Sequence, residues 1–562
     1  MSTFSPSKTA ISMPHSPPRK WGHRCASPPP NQRYNEGECP SYTPPTGGLM
    51  RILFRYLTAK NVVRSTLLAS CLTFATPMMA FAETTLNVAQ GRDPQNLDPI
   101  DTFRLAWGSI ASNVFDGLVF RGEDLQLKPG LATNWEFLDN ETRIRFTLRE
   151  GVEFHNGEPF NAEAVKYTFD RLLGEEGAKG PQRGNYTSIR EVVVVDELTV
   201  DFLMERPDPV LITKLSGYGA MIVPPKYIEE VGEEAFDMKP VGTGPFKIVE
   251  YTPTVGVKLE RFDNYWNGNA NVDNVNIRFI PEDATRMAEL LSGGIDISLN
   301  IPTPSVETIK QSDVVDLVDV DGPSVVITRF NTENGITVDP RVRKAISMAV
   351  DRDTIIEALL GGLASPISSA QGERSFGNDT SLQPYPYDPE GAKTLLQEAG
   401  VAPGSEIALD IPSNNDTFRE IAQVMAAYLD QVGLKLKVRT HETSVFFNEI
   451  VTNGKSGEMF YFGWGGWTFD FDNTAYLLYH TGERNNPYID DAKLNALLEE
   501  ERATYNTQVR RDALQKVAAY AHEHALDLPL YNLSTLYGVN KRVEGFVPAP
   551  DDRVRYMDIT LK

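Results

Sequence analysis

The chain has 562 residues, with 54 Lys and Arg against 76 Asp and Glu and a formal net charge of −22. That balance excludes a nucleic-acid binder, whose phosphate contacts need a basic face, and argues against a protein held on anionic lipid. Cys25, Cys39 and Cys71 are the only cysteines and all precede residue 83. The remainder therefore has no disulfide framework, thiolate nucleophile or cysteine metal site, and must rely on a large core.

Residues 1–49 are rich in Pro, Ser and Gly and poor in aliphatic side chains. They cannot bury enough apolar surface to offset the entropy of ordering. They read as a disordered extension, or as the product of a start codon placed too early, with Met50 the true first residue. Residues 50–82 read as a signal peptide: Arg51, Arg55, Lys60 and Arg64 come first, then the uncharged run 65–82, ending in the small-x-small site Ala80-Phe81-Ala82. A transmembrane helix is the other reading, since the run approaches the roughly 20 residues that cross a bilayer. Pro77, Ser65, Ser70, Thr73 and Thr76 argue against it. Leu68-Ala69-Ser70-Cys71 resembles a lipoprotein box, but the uncharged stretch before Cys71 is short for an h-region, so lipid anchoring there is the lesser expectation. The exported protein is expected to start near Glu83, in the periplasm. Nine basic and two acidic residues fall before that point, leaving 45 and 74 and a net charge of −29.

Past residue 83 the pattern alternates between two-residue and helical periods, the mark of mixed α/β structure. Ile144, Phe146 and Leu148 alternate with Arg143, Arg145 and Thr147 as a half-buried strand. Asn161 then reads as an N-cap, with Ala162, Val165, Phe169, Leu172 and Leu173 on one helical face. Asp339-Pro340 opens a helix in the manner of an N-cap followed by proline, and Val342, Ala345, Ile346, Ala349 and Val350 form its apolar stripe. Ile421, Val424, Met425, Tyr428, Leu429 and Val432 repeat that stripe up to Gly433, a C′ glycine. Leu434, Leu436 and Val438 follow in alternation, so a helix runs directly into a strand, as in a partly parallel sheet.

Several motifs, in order, resemble those of the extracytoplasmic solute-binding proteins, family 5, which serve ABC importers of peptides, opines and nickel chelates. They are Asn96-Leu97-Asp98-Pro99; Phe146-Thr-Leu-Arg-Glu-Gly-Val-Glu-Phe-His-Asn-Gly-Glu-Pro159 with Val165-Lys-Tyr-Thr-Phe169; Val241-Gly-Thr-Gly-Pro-Phe-Lys247 with Asn264-Tyr-Trp266; Gly294 and Asp296; Asp339-Pro-Arg-Val-Arg-Lys-Ala345 with Ala349-Val-Asp-Arg352; and Tyr387-Asp-Pro-Glu390 with Glu398-Ala-Gly400. Most also have a plain structural reading. Gly242, Gly244 and Pro245 read as a turn in which the glycines supply positive φ, and Tyr265 and Trp266 as packing aromatics. A nucleotide loop is excluded because Lys247 is misplaced for a Walker A and no GxGxxG is completed.

The resemblance implies a two-lobed periplasmic-binding-protein fold (type II, cluster C) with an additional domain inserted in the first lobe. Lobe I would comprise 83–122, 241–325 and 531–562, the additional domain 123–240, and lobe II 326–530. Two chain crossings would act as hinges, with the solute held between the lobes as they close.

The candidate site is Tyr461-Phe-Gly-Trp464-Gly-Gly-Trp467-Thr-Phe-Asp470-Phe-Asp472-Asn473, the densest cluster of aromatics, glycines and carboxylates in the chain. Its glycines allow close approach, Trp464 and Trp467 offer flat walls, and Asp470 or Asp472 could hold an ammonium group. The competing reading is an aromatic core with the aspartates capping a helix near Ala475. Dipeptide-binding relatives carry an aspartate where alignment on Gly463-Trp464 places Trp467, which favours a ligand presenting an aromatic or delocalised surface there. Arg329 and Arg374 are the cations that could grip a carboxylate, with surface ion pairing as the alternative.

His155, His441, His480, His522 and His524 form no metal motif, and His522 and His524 are too close in sequence to share a helix face. No metal or other cofactor is expected, although His480 could contact a metal chelate. GxSxG is absent, and nothing pairs two carboxylates across a substrate, so a secreted hydrolase is the weaker alternative. The expectation is a monomer that is not an enzyme. It would capture a peptide-like solute for a membrane permease and its ATPase, with opines, oligosaccharides and nickel chelates as other ligand classes.

Overall fold

A computed structural model of the chain describes residues 83–102 and 105–562; the signal peptide, Cys71 and residues 1–49 lie outside the described residues. The helix and strand expectations that fall within them are met. Asn161 accepts the Ala164 N–H at the start of helix Ala162–Leu173, and Asp339 accepts the Arg341 N–H ahead of helix Pro340–Ala349. Helix Asp416–Gln431 ends at Gly433, whose φ of 89° lets the chain reverse into strand Leu434–His441.

One eleven-stranded sheet runs through the molecule. Its order is Leu434–His441, Ser405–Pro412, Met459–Gly465, Val315–Phe330, Asp527–Asn540, Ile297–Leu299, Thr85–Gln90, Asn274–Phe279, Gly256–Arg261 and Phe246–Thr252, with Ala364–Pro366 also paired to Asp527–Asn540. Thr85–Gln90 is parallel to both its neighbours, and so is Ser405–Pro412. The two parallel regions are joined by the long antiparallel pair Val315–Phe330 and Asp527–Asn540.

That pair shifts register twice, with a bulge at Leu530 between Val326 and Ile327 and a wider gap before it. Asp321 opposes Ser534 and Val325 opposes Asn532, so Gly322, Pro323 and Ser324 face Leu533 alone. Pro323 has no N–H for the ladder. The buried Asn532 side chain bridges the gap, its Nδ2 donating to the carbonyls of Gly322 at 3.0 Å and Ser324 at 2.8 Å. Pairing is thus restored by a side chain where the backbone cannot supply it.

Separate cores lie on either side of this interruption. One gathers Leu86, Trp107, Phe115, Phe246, Ile277 and Tyr537. Beyond it, Ile346, Leu409, Ile421 and Met425 pack on one face of the sheet, and Val325, Phe460, Leu478, Leu498 and Val517 on the other. Each fully buried Leu, Ile or Phe contributes about 1.5–3 kcal/mol relative to exposure.

A second, four-stranded antiparallel sheet is formed by Ala132–Leu138, Arg143–Leu148, Thr199–Met204 and Ile189–Asp196. Helix Ala162–Leu173 packs on it through Phe169, which meets Phe202 edge-on at 4.8 Å. Arg171 of that helix pairs with Asp98 and Glu233, fastening the sheet to the first core.

The motif glycines act differently from the expectation. Gly242 and Gly244 do not have positive φ; a Cβ on them would come within 2.1 Å of the Val114 carbonyl oxygen and 2.6 Å of the Asn113 carbonyl oxygen. Close backbone approach, rather than a left-handed turn, excludes larger residues. Tyr265, Trp266 and Thr243 all donate to Asp116, at 3.2, 2.9 and 3.1 Å, so these motif residues hold the first core together.

Candidate functional site

Strand Met459–Gly465 pairs with the far half of Val315–Phe330, Val325 opposing Trp464 and Ser324 opposing Gly465. This register delivers the aromatic-glycine segment to the interruption, where the Gly466 N–H donates to the Pro323 carbonyl at 3.0 Å. Trp464 stacks along Phe462, with centroids 5.9 Å apart, and its indole N–H is buried without a protein acceptor. The ring of Trp467 rests on Gly217, where an added Cβ would come within 2.6 Å of it.

Two arginines tie the segments on either side together. Arg121 donates to the carbonyls of Trp467 at 2.8 Å and Thr468 at 2.7 Å. Burial, reinforced by the like charge of Arg553, pulls its guanidinium down to about 9, against the attraction of Asp551. Arg374 donates to the Glu123 carbonyl at 2.9 Å.

A cleft of about 1190 Å³ lies beside these contacts. One wall is formed by segments 184–190 and 205–214, the other by Trp464, Asp472, Asn473, Tyr476 and the segment around Arg502. Lys214 is paired to Asp208 at 2.9 Å, and Arg502 grips Asp472 while lying over the Tyr476 ring. Arg190 and Arg206 are exposed in the lining, and neither forms an ion pair among the described residues. A smaller cavity of about 360 Å³ is lined by Arg121, Ser216, Gly217, Arg553 and Arg555. Gly217, under the Trp467 ring, belongs to its wall.

The sequence-chosen residues divide. Trp464 and Asp472 line the cleft, while Trp467 and Arg374 make contacts across from one core to another. Asp470 is different: both its oxygens are held by Arg510, at 2.9 and 3.0 Å, and it is buried. Arg329 is 2 % exposed and donates to Asp527, to the Asn485 carbonyl and to the Leu478 carbonyl. The expectation that Asp470 holds an ammonium group and Arg329 a carboxylate is corrected accordingly, because both charges are neutralised inside the protein. Tyr461 packs on Phe418 at 4.3 Å and is not part of the cleft lining. His480 stacks on Tyr476 at 4.2 Å beside the cleft.

A buried network backs the cleft wall. Arg510 bridges Asp470 and Glu501, and Arg502 binds Asp472. Burial and the adjacent Asp472 push Glu501 up, so it is neutral near pH 7. Burial alone would raise Asp472 as well, but Arg502 holds it well below the usual carboxylate range. Among the described residues no three His, Asp or Glu side chains are arranged to hold a metal ion. Arg121, Gly217 and Lys214 were not anticipated from sequence. Arg121 meets its acceptors 346 and 347 residues away along the chain, a relationship no local pattern records.

Two α/β lobes joined by a pair of long strands, with a solute-sized cleft between them, define a two-lobed periplasmic binding protein. Residues 126–486 match the family described as bacterial extracellular solute-binding proteins, family 5 Middle, and the chain belongs to that family. It is 29% identical over 535 residues to the glutathione-binding protein GsiB of Pectobacterium atrosepticum, covering 91% of this chain and 99% of that one. It is 28% identical over 475 residues to heme-binding protein A of Haemophilus influenzae, covering 79% and 86%. Among solved structures, HbpA2 from Haemophilus parasuis superposes with a TM-score of 0.79 at 25% identity, covering 85% of this chain and 100% of that chain. The chain is the solute-binding component of an ABC importer, a family whose members bind small solutes and deliver them to membrane permeases. Among the described residues no helix is long and apolar enough to cross a membrane.

Proposed function

We propose that the protein is exported to the periplasm by cleavage after Ala82. There it acts as a monomeric, non-catalytic receptor that captures a peptide-like solute in the cleft. Lobe I would consist of 83–122, 241–325 and 531–562, with 123–240 as its additional domain and 326–530 as lobe II. The observation that carries the reading is the cleft itself. It is bounded by segment 184–214 on one side and Trp464 to Arg502 on the other, so a solute inside it touches both lobes at once. Such a solute adds contacts available only to the closed form, and the population shifts toward closure.

The lining suits a peptide-like molecule. Trp464 supplies a flat apolar wall, and Arg190 and Arg206 supply guanidinium groups for carboxylates. Similarity over nearly the whole length to a glutathione-binding protein supports the same class. Titration calorimetry against glutathione, di- and tripeptides, an opine, an oligosaccharide, nickel-histidine and haem tests the reading. Saturable one-to-one binding of a peptide-like compound, recovered unchanged by mass spectrometry, is expected. Exclusive binding of another class would overturn the peptide assignment, and appearance of product would overturn the receptor assignment.

A further inference from the structure

Arg555 carries a guanidinium that its surroundings leave unsatisfied. It lies over the Phe120 ring, 4.8 Å from the centroid, and its nearest carboxylate, Asp116, stands 3.7 Å away, beyond hydrogen-bond reach. Asp116 is already committed, since it accepts from Thr243, Tyr265 and Trp266. Among the described residues no acceptor meets the five N–H donors of Arg555. Its neighbours differ. Arg553 donates to Asp551 and to the Ser216 carbonyl, and Arg121 to the Trp467 and Thr468 carbonyls.

These donors belong to the wall of the cavity of about 360 Å³, which also carries the apolar side chains of Phe115, Val119, Phe120, Met221, Val547 and Pro548. Apolar walls strengthen any charge pairing made between them. Asp551 is shared by Arg553 and by Arg121, the latter at 3.8 Å. Counting Arg121, Arg553 and Arg555 against Asp116 and Asp551 leaves one positive charge in excess. Glu123 and Asp558, the other carboxylates of the lining, are exposed, so solvent and salt screen them. The volume is at the lower end of ligand pockets, which suits one end of a solute. The lining comes wholly from segments 112–130, 216–221 and 545–558, without strand Met459–Gly465 or the loop after it, so the cavity requires no particular separation of the lobes.

We propose that this cavity is an anion site in which Arg555 grips a carboxylate of the solute through two parallel N–H donors. The idea deepens the proposed function and rests on it: one carboxylate is held here while the rest of the solute lies in the larger cleft. Lys214 lines that cleft and Gly217 lines the cavity, so both spaces adjoin segment 214–217. A free anion offers the same chemistry, and the test separates the two sources.

The first arm needs no peptide. The melting temperature of the full-length protein is followed in acetate and in glutarate against chloride, at equal pH and ionic strength, because a ligand of the folded state alone raises it. The carboxylates should stabilise the parent saturably. Arg555→Gln should lose that response and Arg555→Lys should keep part of it, while Arg92→Gln, at an exposed arginine that lines neither space, should retain it in full. No carboxylate effect in the parent, or an equal effect in folded Arg555→Gln, would overturn the proposal. Should Arg555→Gln fail to fold, an undiminished response in Arg555→Lys overturns it instead. In the second arm, calorimetry compares glutathione with its dimethyl ester. Arg555→Gln should weaken glutathione about tenfold or more and leave the ester unchanged, and glutathione should displace acetate from the parent. Simultaneous binding of glutathione and acetate would assign the site to a free anion and overturn the solute assignment. Glutathione that fails to bind at all counts against the peptide-like class alone, since the acetate arm decides the site without it.

Discussion

The imidazole of His155 is held at both nitrogens by one glycine loop: Nε2 donates to the Gly244 carbonyl at 3.0 Å, and Nδ1 accepts the Gly242 N–H at 3.3 Å. Two motifs nearly ninety residues apart are thereby closed onto each other. The arrangement requires a neutral ring. Burial pulls His155 down to about 4, with repulsion from Lys247 adding to it and the Gly244 carbonyl opposing. A depressed histidine contributes stability that is present above its unfolded value of roughly 6.5 and is lost as pH falls through about 4. Unfolding free energy should therefore drop by up to about 3 kcal/mol between pH 7 and pH 4 from this residue. Urea melts of the parent and His155→Gln across that range check it; parallel curves for the two proteins would rule the assignment out.

Gly217→Ala should disturb closure rather than folding. The new methyl group would meet the Trp467 ring at 2.6 Å, pushing the aromatic loop away from the opposite wall. Small-angle scattering should show a larger solute-free radius in this variant. Because the obstacle is the indole, adding Gly217→Ala to Trp467→Ala should cause no further expansion, and additive effects would contradict the account.

Arg510→Met is expected to cost about 3–5 kcal/mol, because it leaves Asp470 and Glu501 buried without their partner. Chemical denaturation measures this directly. A loss under about 1 kcal/mol would show that the carboxyl groups are compensated elsewhere.

Asp552 has the opposite pH signature to His155. Burial raises it to about 6, with Asp551 adding repulsion, even though Asn300 donates to it at 3.3 Å. Its stabilising influence is complete below about 3.8 and disappears as pH rises through about 6. Its φ of 60° suits asparagine. Asp552→Asn should therefore gain up to about 3 kcal/mol over the parent at pH 8 and nothing at pH 4. Equal gains at both values would point to a cause other than titration.

The local architecture was legible because it is written in local periodicities. The stripe from Val342 to Val350 and the alternation from Leu434 to Val438 need only their own neighbours to be interpreted. Charges were harder. Arg329 reads in sequence as available to a ligand, yet its carboxylate partner lies 198 residues away, and Asp470 meets an arginine 40 residues on. A signal was present nonetheless: Arg329 stands in a mostly apolar strand end, Val325 to Phe330, where a buried cation must be neutralised internally. For Gly242 and Gly244 the sequence required small residues without distinguishing a turn from close approach. Only the neighbouring helix Gly108–Val114 decides between them.

The gap bridged by Asn532 has a mechanical consequence. The two crossings are adjacent members of one ladder, not independent tethers, so neither can slide without breaking the pairing of the other. Bending between the two halves is expected to be easiest at residues 322–324, which have no ladder partners of their own in strand Asp527–Asn540.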